Sequence, residues 1–385
     1  MLCVMLVAGE ASGDALGAKL AAAIRKQLGE TPVRFVGVGG PLMAAEGVQS
    51  PFDIRQLSVL GLIEGLAAYP RVVGRVRDTL RLARREKPDI AVLIDSWGFT
   101  LRVAQGLNRI LPATPVVKYV GPQVWASRPG RARTLARTVD RLLTLHSFDA
   151  PHFEAHGLPV TFVGNAILAR DFSKADPRRL RRTVGAAPKA QVLLVAPGSR
   201  RSEIARMAQP FGEAVALLRA SHPGLRVVVP VAQSVAGAVR EAAAGWGQGV
   251  LLIEDEALKD DAMAGATVAL ACSGTVTTEL ALAGPPVVVG YRIGALSYAL
   301  LKRLVRTPWI SLVNVAAARM VMPEFIQHRC TGPKLAAAVA RLLDDPAARA
   351  EQVAGQQRAL AQMGRGGPDP SGAAALAVLE MVKKP

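Results

Sequence analysis

Two short loops rich in small residues carry the clearest chemical signal in the sequence. Ala196–Arg200 follows one apolar run, and Ser273–Thr275 follows another and opens a segment that ends at Glu279. Both patterns predict strand-to-helix turns, where backbone N–H groups at a helix N-terminus bind anions. The guanidinium of Arg200 can add a bidentate contact to a phosphate. The two loops together predict a site for a phosphorylated ligand such as a nucleoside diphosphate.

Polar residues also follow two apolar runs in the first half of the chain. The segment Val7–Asp14, which includes Glu10 and Ser12, contains two glycines that permit a tight turn. Either Ser12 or Asp14 caps the next helix, or the loop holds a sugar or phosphate. Asp95 directly follows Ile90–Ile94. It is either a helix N-cap or turn residue, or a base that deprotonates a substrate hydroxyl.

A Gly-Pro turn marks the segment Tyr119–Ala126. Gln123 and Trp125 in this segment are candidates for a sugar contact, because aromatic rings pack against sugar faces. The alternative is a buried Trp125 that anchors the loop, and the sequence alone favours that alternative.

Two patterns approach metal-site spacing without completing it. His152 and His156 are four residues apart, but no third ligand accompanies them, so we expect exposed histidines. The acidic groups at 254–256 and 260–261 suit the first turns of helices, where the helix dipole favours negative charge. We therefore predict no metal.

The charge of the chain is strongly positive, with 47 basic and 30 acidic residues giving a formal net charge of +17. Nucleic acid, an anionic membrane and phosphorylated substrates all fit this sign. Only 4 Trp and 4 Tyr are present for base stacking, and no zinc-finger spacing occurs, so we predict no nucleic-acid partner.

Two segments combine cations with apolar residues. Arg71–Lys87 has the pattern of a basic amphipathic helix and follows the apolar stretch Val59–Tyr69, and Leu296–Trp309 has a similar context. A solvated helix face is the usual explanation. Docking to an anionic membrane surface is the alternative.

The three cysteines are scattered and form no disulfide framework, which indicates a reducing compartment. The chain begins with the strand-like run Leu2–Ala8, without a basic region or cleavage site, so we expect no signal peptide. No apolar stretch is long enough to span a bilayer.

Strand-like runs alternate with helical stretches, which predicts parallel sheets in an α/β, doubly wound fold. The polar segment Asp171–Lys189 suggests a linker, and the stretches 334–360 and 372–384 suggest helices. We expect domains over 1–170 and 171–370, and a helix over 371–385 that packs back on the first domain. The predicted strands are Leu2–Ala8, Val33–Val38, Ile90–Ile94, Val116–Val120, Val139–Leu145, Val192–Ala196, Leu225–Val229, Val250–Ile253, Thr267–Ala271 and Pro286–Val289.

The order of these motifs resembles the lipid-A-disaccharide synthase family, inverting glycosyltransferases of the GT-B architecture (glycosyltransferase family 19). The similarity runs from about residue 6 to residue 327 and more weakly to the C-terminal helix. The matching pieces are Val7–Asp14, Phe35–Gly40 with Met43, Ile94-Asp95, Tyr119–Arg128, Phe162–Gly164, Pro197–Arg200 with Glu203, Ser273–Thr275 with Glu279, Val289–Arg292, and Ser311-Leu312 with Asn314, Glu324 and Gln327.

The resemblance implies two Rossmann-like domains facing a central cleft, the first membrane-associating and acceptor-binding, the second binding the UDP-sugar. It implies transfer of 2,3-diacylglucosamine from UDP to 2,3-diacylglucosamine 1-phosphate, giving a β-1,6-linked disaccharide 1-phosphate and UDP. Asp95 would be the catalytic base. The residues implied in substrate binding are Glu10, Ser12, Gln123, Arg200, Ser273, Gly274, Thr275, Glu279, Asn314 and Gln327.

The resemblance also implies an enzyme without metal or cofactor, a monomer or homodimer, peripheral on the cytoplasmic face of the inner membrane. After Asp95 the family usually has a small residue, Pro, Asp, Phe and Asn, whereas this chain has Ser96–Thr100 and lacks the second acidic residue. Ser127, Asn165 and Val313 replace a usual Trp, His and Pro. The alternatives are a UDP-sugar 2-epimerase of the same architecture and a non-catalytic, membrane-surface protein that binds nucleotide sugars.

Overall fold

The structure is a computed structural model that describes residues 1–57, 62–187, 190–294, 298 and 305–382. The chain forms two compact units. Unit 1 comprises Met1–Ala166 with Gly367–Pro385, and unit 2 comprises Ile167–Gly366. The boundaries therefore lie about four residues before the expected ones.

Unit 1 is built on a six-stranded, entirely parallel sheet with the strand order β2-β1-β3-β4-β5-β6. Both β1 and β3 are buried almost throughout, because helices cover both faces of a parallel sheet. The strands are β1 (Leu2–Ala8), β2 (Val33–Val38), β3 (Ile90–Ile94), β4 (Val116–Tyr119), β5 (Arg141–Thr144) and β6 (Val160–Phe162). The helices are α1 (Ala11–Leu28), α2 (Pro41–Ala45), α3 (Leu62–Glu86), α4 (Trp97–Ile110), α5 (Gly130–Ala136) and α6 (Ala150–Glu154).

Unit 2 repeats this design with a second six-stranded parallel sheet, in the order β12-β11-β10-β7-β8-β9. Its strands are β7 (Val192–Ala196), β8 (Arg226–Pro230), β9 (Val250–Ile253), β10 (Val268–Cys272), β11 (Val287–Tyr291) and β12 (Glu324–Ile326). Its helices are α7 (Pro177–Thr183), α8 (Arg201–Ser221), α9 (Ala236–Ala244), α10 (Glu256–Gly265), α11 (Thr275–Ala283), α12 (Leu312–Ala317), α13 (Gly332–Asp344) and α14 (Pro346–Gln362).

The last helix, α15 (Pro370–Val382), completes the core of unit 1. Its buried residues Ala374 and Val378 share a hydrophobic cluster with Leu20 and Ile24 of α1. Gln27 of α1 also donates a hydrogen bond from Nε2 to the carbonyl oxygen of Gly372, at 2.7 Å. The chain therefore returns to its first unit after unit 2 is complete.

The ten strands predicted from apolar runs are confirmed, with ends shifted by at most two residues. Two strands were missed, β6 and β12, each of three residues at the edge of its sheet. Such short edge strands need little hydrophobic sequence, because only part of their surface is covered. The stretch 334–360 is two helices, since the side chain of Asp345 caps a new helix through Ala347 N at 2.9 Å.

The interpretation of Asp171–Lys189 as a linker is wrong for 177–183, which form α7. Leu180 of this helix is fully buried, and Arg179 donates from Nη2 to Oδ1 of the buried Asp261 in α10 at 2.9 Å. Its basic composition reflects pairing with α10 rather than solvation of a loose segment. Residues 188–189 lie outside the described residues.

The segment Arg71–Lys87 lies on α3 up to Glu86, which confirms a basic amphipathic helix. Val76, Leu82 and Ala83 face the core, whereas arginines at 77, 81, 84 and 85 are exposed. Residues 59–61 of the stretch Val59–Tyr69, and residues 296–297 and 299–304 of the segment Leu296–Trp309, lie outside the described residues. Within the described part of the chain, no helix is long and apolar enough to cross a membrane.

Candidate active site

The carboxyl edge of the unit 1 sheet gathers the predicted polar residues of the first half. Glu10 follows β1 and Asp95 follows β3, and these strands are neighbours. Partial desolvation raises the pKa of the Glu10 carboxyl, and the charge of Asp95 raises it further. A hydrogen bond to the Ser96 side chain and the charge of Lys118 oppose this rise. The four groups therefore form one electrostatic cluster.

Asp95 sits in an unusual turn. Asp95 and Ser96 both have left-handed backbone angles, with φ of 47° and 45°. Successive non-glycine residues in this region are costly, at about 1–3 kcal/mol each. The backbone N–H of Asp95 still bonds the carbonyl oxygen of Tyr119 at 2.9 Å, as the last link of the β3–β4 ladder. The turn leaves Asp95 partly exposed, directly after a fully buried strand.

Lys118, in the middle of β4, was missed as a functional candidate. It is 2% exposed, and its Nζ donates to the carbonyl oxygen of Asp95 and, at 2.8 Å, to Thr100 Oγ1. Burial lowers the pKa of the Lys118 ammonium to about 7, although the charges of Asp95 and Glu10 act in the opposite direction. A signal was present in the sequence, since a lysine inside the run Val116–Val120 interrupts an otherwise apolar strand.

The loop that begins at residue 119 holds Trp125 through its indole. Trp125 Nε1 donates to Asp149 Oδ1 at 2.8 Å, and the ring meets Phe148 edge to face at a centroid distance of 5.5 Å. This is the geometry of a loop anchor, whereas Gln123 of the same loop is exposed. Burial raises the pKa of Asp149 to about 6 and lowers that of the stacked His146 to about 4.

Asp14 and Ser12 do not cap α1, contrary to the capping alternative. Glu10 is the N-cap residue of α1, without a side-chain cap bond. The buried carboxylate of Asp14 instead accepts hydrogen bonds from the N–H groups of Gly40 at 2.8 Å and Met43 at 2.9 Å. It therefore caps α2. A Cβ at Gly40 would lie 2.6 Å from Asp14 Oδ2, which explains the glycine.

A cavity of about 330 Å³ opens at the carboxyl edge of the unit 2 sheet. It is lined by both loops that the sequence singled out, and the predicted residues Ser273, Gly274, Thr275 and Glu279 all contribute to its wall. Gly198 of the other loop has φ of 133°, and a Cβ there would lie 2.8 Å from that of Glu203. The backbone can therefore pass closely over the start of α8 only with glycine.

Cations and carboxylates alternate around this cavity. Arg170 forms ion pairs with Glu279 and with Asp260 of α10, and Lys259 pairs with Glu256. Arg170 was not among the predicted residues, because nothing in its local sequence marks it. The predicted Arg200 does not line the cavity; its Nη1 donates to Glu203 Oε1 at 2.8 Å, and its side chain is 73% exposed.

Asn314 was expected to bind substrate, and the structure places it in the protein interior instead. It is fully buried, and its Nδ2 donates to Met322 O at 2.8 Å and to Glu324 Oε1 at 2.7 Å. Its Oδ1 accepts from the N–H groups of Val321 and Met322, both at 2.8 Å. Since the amide is saturated by internal partners, Asn314 stabilises the protein interior and has no free group for a ligand.

Gln327, also expected to bind substrate, is half-buried. Its Oε1 accepts from Ile293 N at 2.9 Å, and its Nε2 donates to Ile293 O at 3.2 Å. Both ends of the amide therefore hold the backbone that follows β11.

Glu324 connects Asn314 to the wall of the cavity through hydrogen bonds. Its carboxylate accepts from the N–H groups of Ile310 and Ser311, both at 2.9 Å. Ile310 O in turn accepts from Ser273 Oγ at 3.3 Å. The motif residues beyond position 310 thus support the wall of the cavity from behind.

His152 and His156 are both exposed, as expected. In the parts of the chain that the structure describes, no three His, Cys, Asp or Glu side chains are grouped as metal ligands.

Comparison with known proteins gives a consistent result over the whole chain. A family model described as lipid-A-disaccharide synthetase matches residues 4–376. Lipid-A-disaccharide synthase of Rhodospirillum centenum is 44% identical over 383 residues, covering 100% of this chain and 95% of that protein. The protein of the same name from Paramagnetospirillum magneticum is 42% identical over 385 residues, covering 100% and 98%.

Solved structures with low sequence identity share the fold. The UDP-GlcNAc 2-epimerase from Neisseria meningitidis, bound to UDP-GlcNAc, has a TM-score of 0.55 and 13% identity, with 99% of each chain covered. This likeness and the two parallel sheets confirm the predicted α/β fold class and GT-B architecture.

The buried Asp149 carboxyl generates a pH prediction. Between pH 3.8 and about 6 the folded chain retains a proton on Asp149 that the unfolded chain has lost. Stability from this group is therefore lost as pH rises through that interval. Asp149→Asn removes the charge and keeps an oxygen for Trp125. Relative to wild type, its free energy of unfolding should rise by about 1–3 kcal/mol across the interval, measured by urea denaturation.

Trp125→Phe is the matched control, since it keeps the carboxyl and removes the hydrogen bond that lowers its pKa. This variant should retain the pH trend. His146 is unchanged in both variants, so its opposite trend cancels in the comparison. A constant difference between Asp149→Asn and wild type from pH 4 to 7 would contradict the assignment.

Proposed function

The chain belongs to the lipid-A-disaccharide synthetase family, and from that premise we propose the reaction and the residues that perform it. The protein is a glycosyltransferase of lipid A biosynthesis. It transfers a 2,3-diacylglucosamine unit from UDP to 2,3-diacylglucosamine 1-phosphate. The products are the β-1,6-linked disaccharide 1-phosphate and UDP.

The observation that carries the chemical assignment is the position of Asp95. It is a partly exposed carboxylate at the end of a buried central strand, beside Glu10 and Lys118. Asp95 accepts the proton of the acceptor 6-hydroxyl as that oxygen attacks the anomeric carbon. The bond between the anomeric carbon and the diphosphate oxygen breaks, and inversion follows from attack on the opposite face.

The donor binds in the unit 2 cavity, whose volume lies within the range of ligand pockets. The Ser273–Thr275 turn and the N-terminus of α11 face developing negative charge on the leaving diphosphate with backbone N–H groups. We propose that Arg200, which does not line the cavity but directly follows the lining residue Ser199, binds the same ligand from the rim. We propose no metal and no cofactor in this reaction.

Both substrates carry acyl chains, so the protein must work at the surface of a membrane. Unit 1 offers two sets of cations for anionic lipid. The exposed arginines of α3 form one, and Arg109, Arg133 and Arg137 around a groove between α4 and α5 form the other. We place the protein on the cytoplasmic face of the inner membrane, as a monomer or homodimer.

The two alternatives are less well supported. The likeness to a 2-epimerase at 13% identity shows the fold alone, whereas relatives above 40% identity are named as disaccharide synthases. A non-catalytic binding protein would not need the strained turn at Asp95. Incubating the pure protein with both acylated substrates separates the three functions. The proposal requires UDP and a disaccharide detected by mass, and free epimerised sugar or no product would overturn it.

The first prediction concerns the base. Asp95→Asn keeps the size of the side chain but removes its basicity, so kcat should fall by about 10²–10⁴-fold. Binding of UDP, measured by calorimetry, should be unchanged. Asp53→Asn is the control, because Asp53 is an exposed carboxylate whose partner is Arg55. Near wild-type turnover by Asp95→Asn would reject the role.

The second prediction concerns the donor. A charge-assisted hydrogen bond contributes about 1.5–3 kcal/mol, so Arg200→Ala should weaken UDP binding by about 10–100-fold. Arg178→Ala, another exposed arginine of unit 2, should leave it unchanged. EDTA should not alter turnover. Loss of activity in EDTA with recovery in Mg²⁺ would refute the metal-free reaction.

The third prediction concerns the membrane. Each cation near anionic lipid contributes about 1 kcal/mol, so replacing Arg77, Arg81 and Arg84 with Glu should weaken vesicle binding by about 10²-fold or more. Arg75 is spared, because it is half-buried over the ring of Phe52. Co-sedimentation with phosphatidylglycerol vesicles at low and high salt measures the effect.

The matched control replaces three exposed arginines of unit 2, Arg178, Arg341 and Arg358, with Glu. It removes the same charge from surfaces outside α3. Equal loss in both triple variants would mean that net charge alone governs binding. Undiminished binding of the α3 variant would show that this helix face is only solvated.

A further inference from the structure

We propose that Lys118 and Thr100 are positioning residues, which hold the backbone carbonyl of Asp95 and thereby keep the catalytic carboxylate in its left-handed turn. This inference rests on the proposed role of Asp95 as the base. Neither residue is assigned a contact with substrate.

The three groups form a closed triangle of hydrogen bonds. Lys118 Nζ donates to Asp95 O and, at 2.8 Å, to Thr100 Oγ1. Thr100 Oγ1 donates to the same carbonyl oxygen at 2.7 Å. Asp95 O thus accepts two bonds from the protein interior, which uses both of its lone pairs. Since Thr100 is fully buried and Lys118 is 2% exposed, water does not replace these donors in the folded protein.

The three hydrogen bonds hold the turn in which the backbone conformation is energetically least favourable. Asp95 and Ser96 have φ of 47° and 45°, and neither is glycine. On the outer side, a Cβ at Gly9 would lie 2.6 Å from Ser96 Oγ, so the turn is packed closely against the end of β1. Such a conformation persists only where its surroundings impose it. The bonds from Lys118 and Thr100 impose it from the inner side.

The number of hydrogen-bond acceptors around Lys118 suits an amine that is shielded from water. A neutral amine has two hydrogens, which is the number of acceptors that Lys118 meets. Burial lowers the pKa of this side chain to about 7, and the charged groups that act on it are Asp95 after β3 and Glu10 after β1. The two hydrogen bonds can therefore form in either protonation state, so the turn is held across neutral pH.

The catalytic test uses Lys118→Met, which keeps the length of the side chain and removes its donors, and Thr100→Val. Displacement of a reacting group by about 1 Å costs on the order of 10²-fold in rate, so each variant should lose about 10–100-fold in kcat. The KM for the donor should not change, because the donor site is in unit 2. Since both residues act on one carbonyl, the double variant should lose less than the product of the single losses.

Rescue by glycine separates positioning from a general structural role. Glycine adopts positive φ without strain. Adding Ser96→Gly to Lys118→Met should therefore restore part of kcat, and Ser96→Gly alone reports its own effect. A full kcat in Lys118→Met, multiplicative losses in the double variant, or no rescue by Ser96→Gly would each overturn the proposal.

The pH dependence of unfolding tests the role of Lys118 without substrate, so its result does not depend on the proposed function. Between pH 7 and 10.5 the unfolded chain binds a proton on Lys118 that the folded chain has released, so the free energy of unfolding of wild type should rise with pH relative to that of Lys118→Met. The opposing contribution of the buried thiols of Cys272 and Cys330 cancels in this comparison. Thr100→Val should keep that rise.

If wild type forms no disaccharide, the proposed function is wrong. The unfolding curves then still test whether Lys118 is buried against Asp95 and Thr100. If Lys118→Met does not fold, Thr100→Val with and without Ser96→Gly decides the result.

Discussion

The candidate active site depends on one constraint, which is that a parallel sheet covered on both faces must place its polar groups where its strands end. Strands β1 and β3 are almost entirely buried, so Glu10 and Asp95 meet only beyond them. Lys118 departs from this pattern, because it is an ionisable side chain buried inside a strand. Its donors must find acceptors nearby, because an unpaired buried amine is costly. The acceptors it finds are in the turn that carries Asp95.

In unit 2 the polar groups at the ends of the strands are mainly backbone groups and hydroxyls. The cavity wall includes the turns after β7 and β10, and its charged residues already form ion pairs. Behind the wall, the buried carboxylate of Glu324 is satisfied by two backbone N–H groups and the amide of Asn314. The proposed ligand contacts and the support of the contacting loop are thus separate tasks, performed by residues of different sequence motifs.

This separation explains which parts of the fold and of the candidate site could be predicted from the sequence. Apolar runs located ten strands, because burial on both faces leaves a continuous hydrophobic signal. Strands β6 and β12 carry no such signal, and the fold of 177–183 depends on a distant partner, Asp261. Motif order placed Ser273–Thr275 and Glu279 at one cavity, but it cannot distinguish a ligand contact from an internal support such as Asn314. Residue spacing does not reveal the partners of Arg170 and Lys118, which lie far along the chain, although the lysine inside the apolar run 116–120 was itself a visible signal.

The departures from the family pattern after Asp95 have a physical account in the same turn. Thr100 stands where the family usually has Asn, and its hydroxyl bonds the carbonyl of Asp95. Trp97 replaces Pro, and Arg131 lies over its ring at 4.9 Å from the centroid. Gly98 replaces the second acidic residue, so this chain has one carboxylate in the turn. If Lys118 and Thr100 fix that turn from within, as we propose, the carboxylate of Asp95 keeps its position without a second acid beside it.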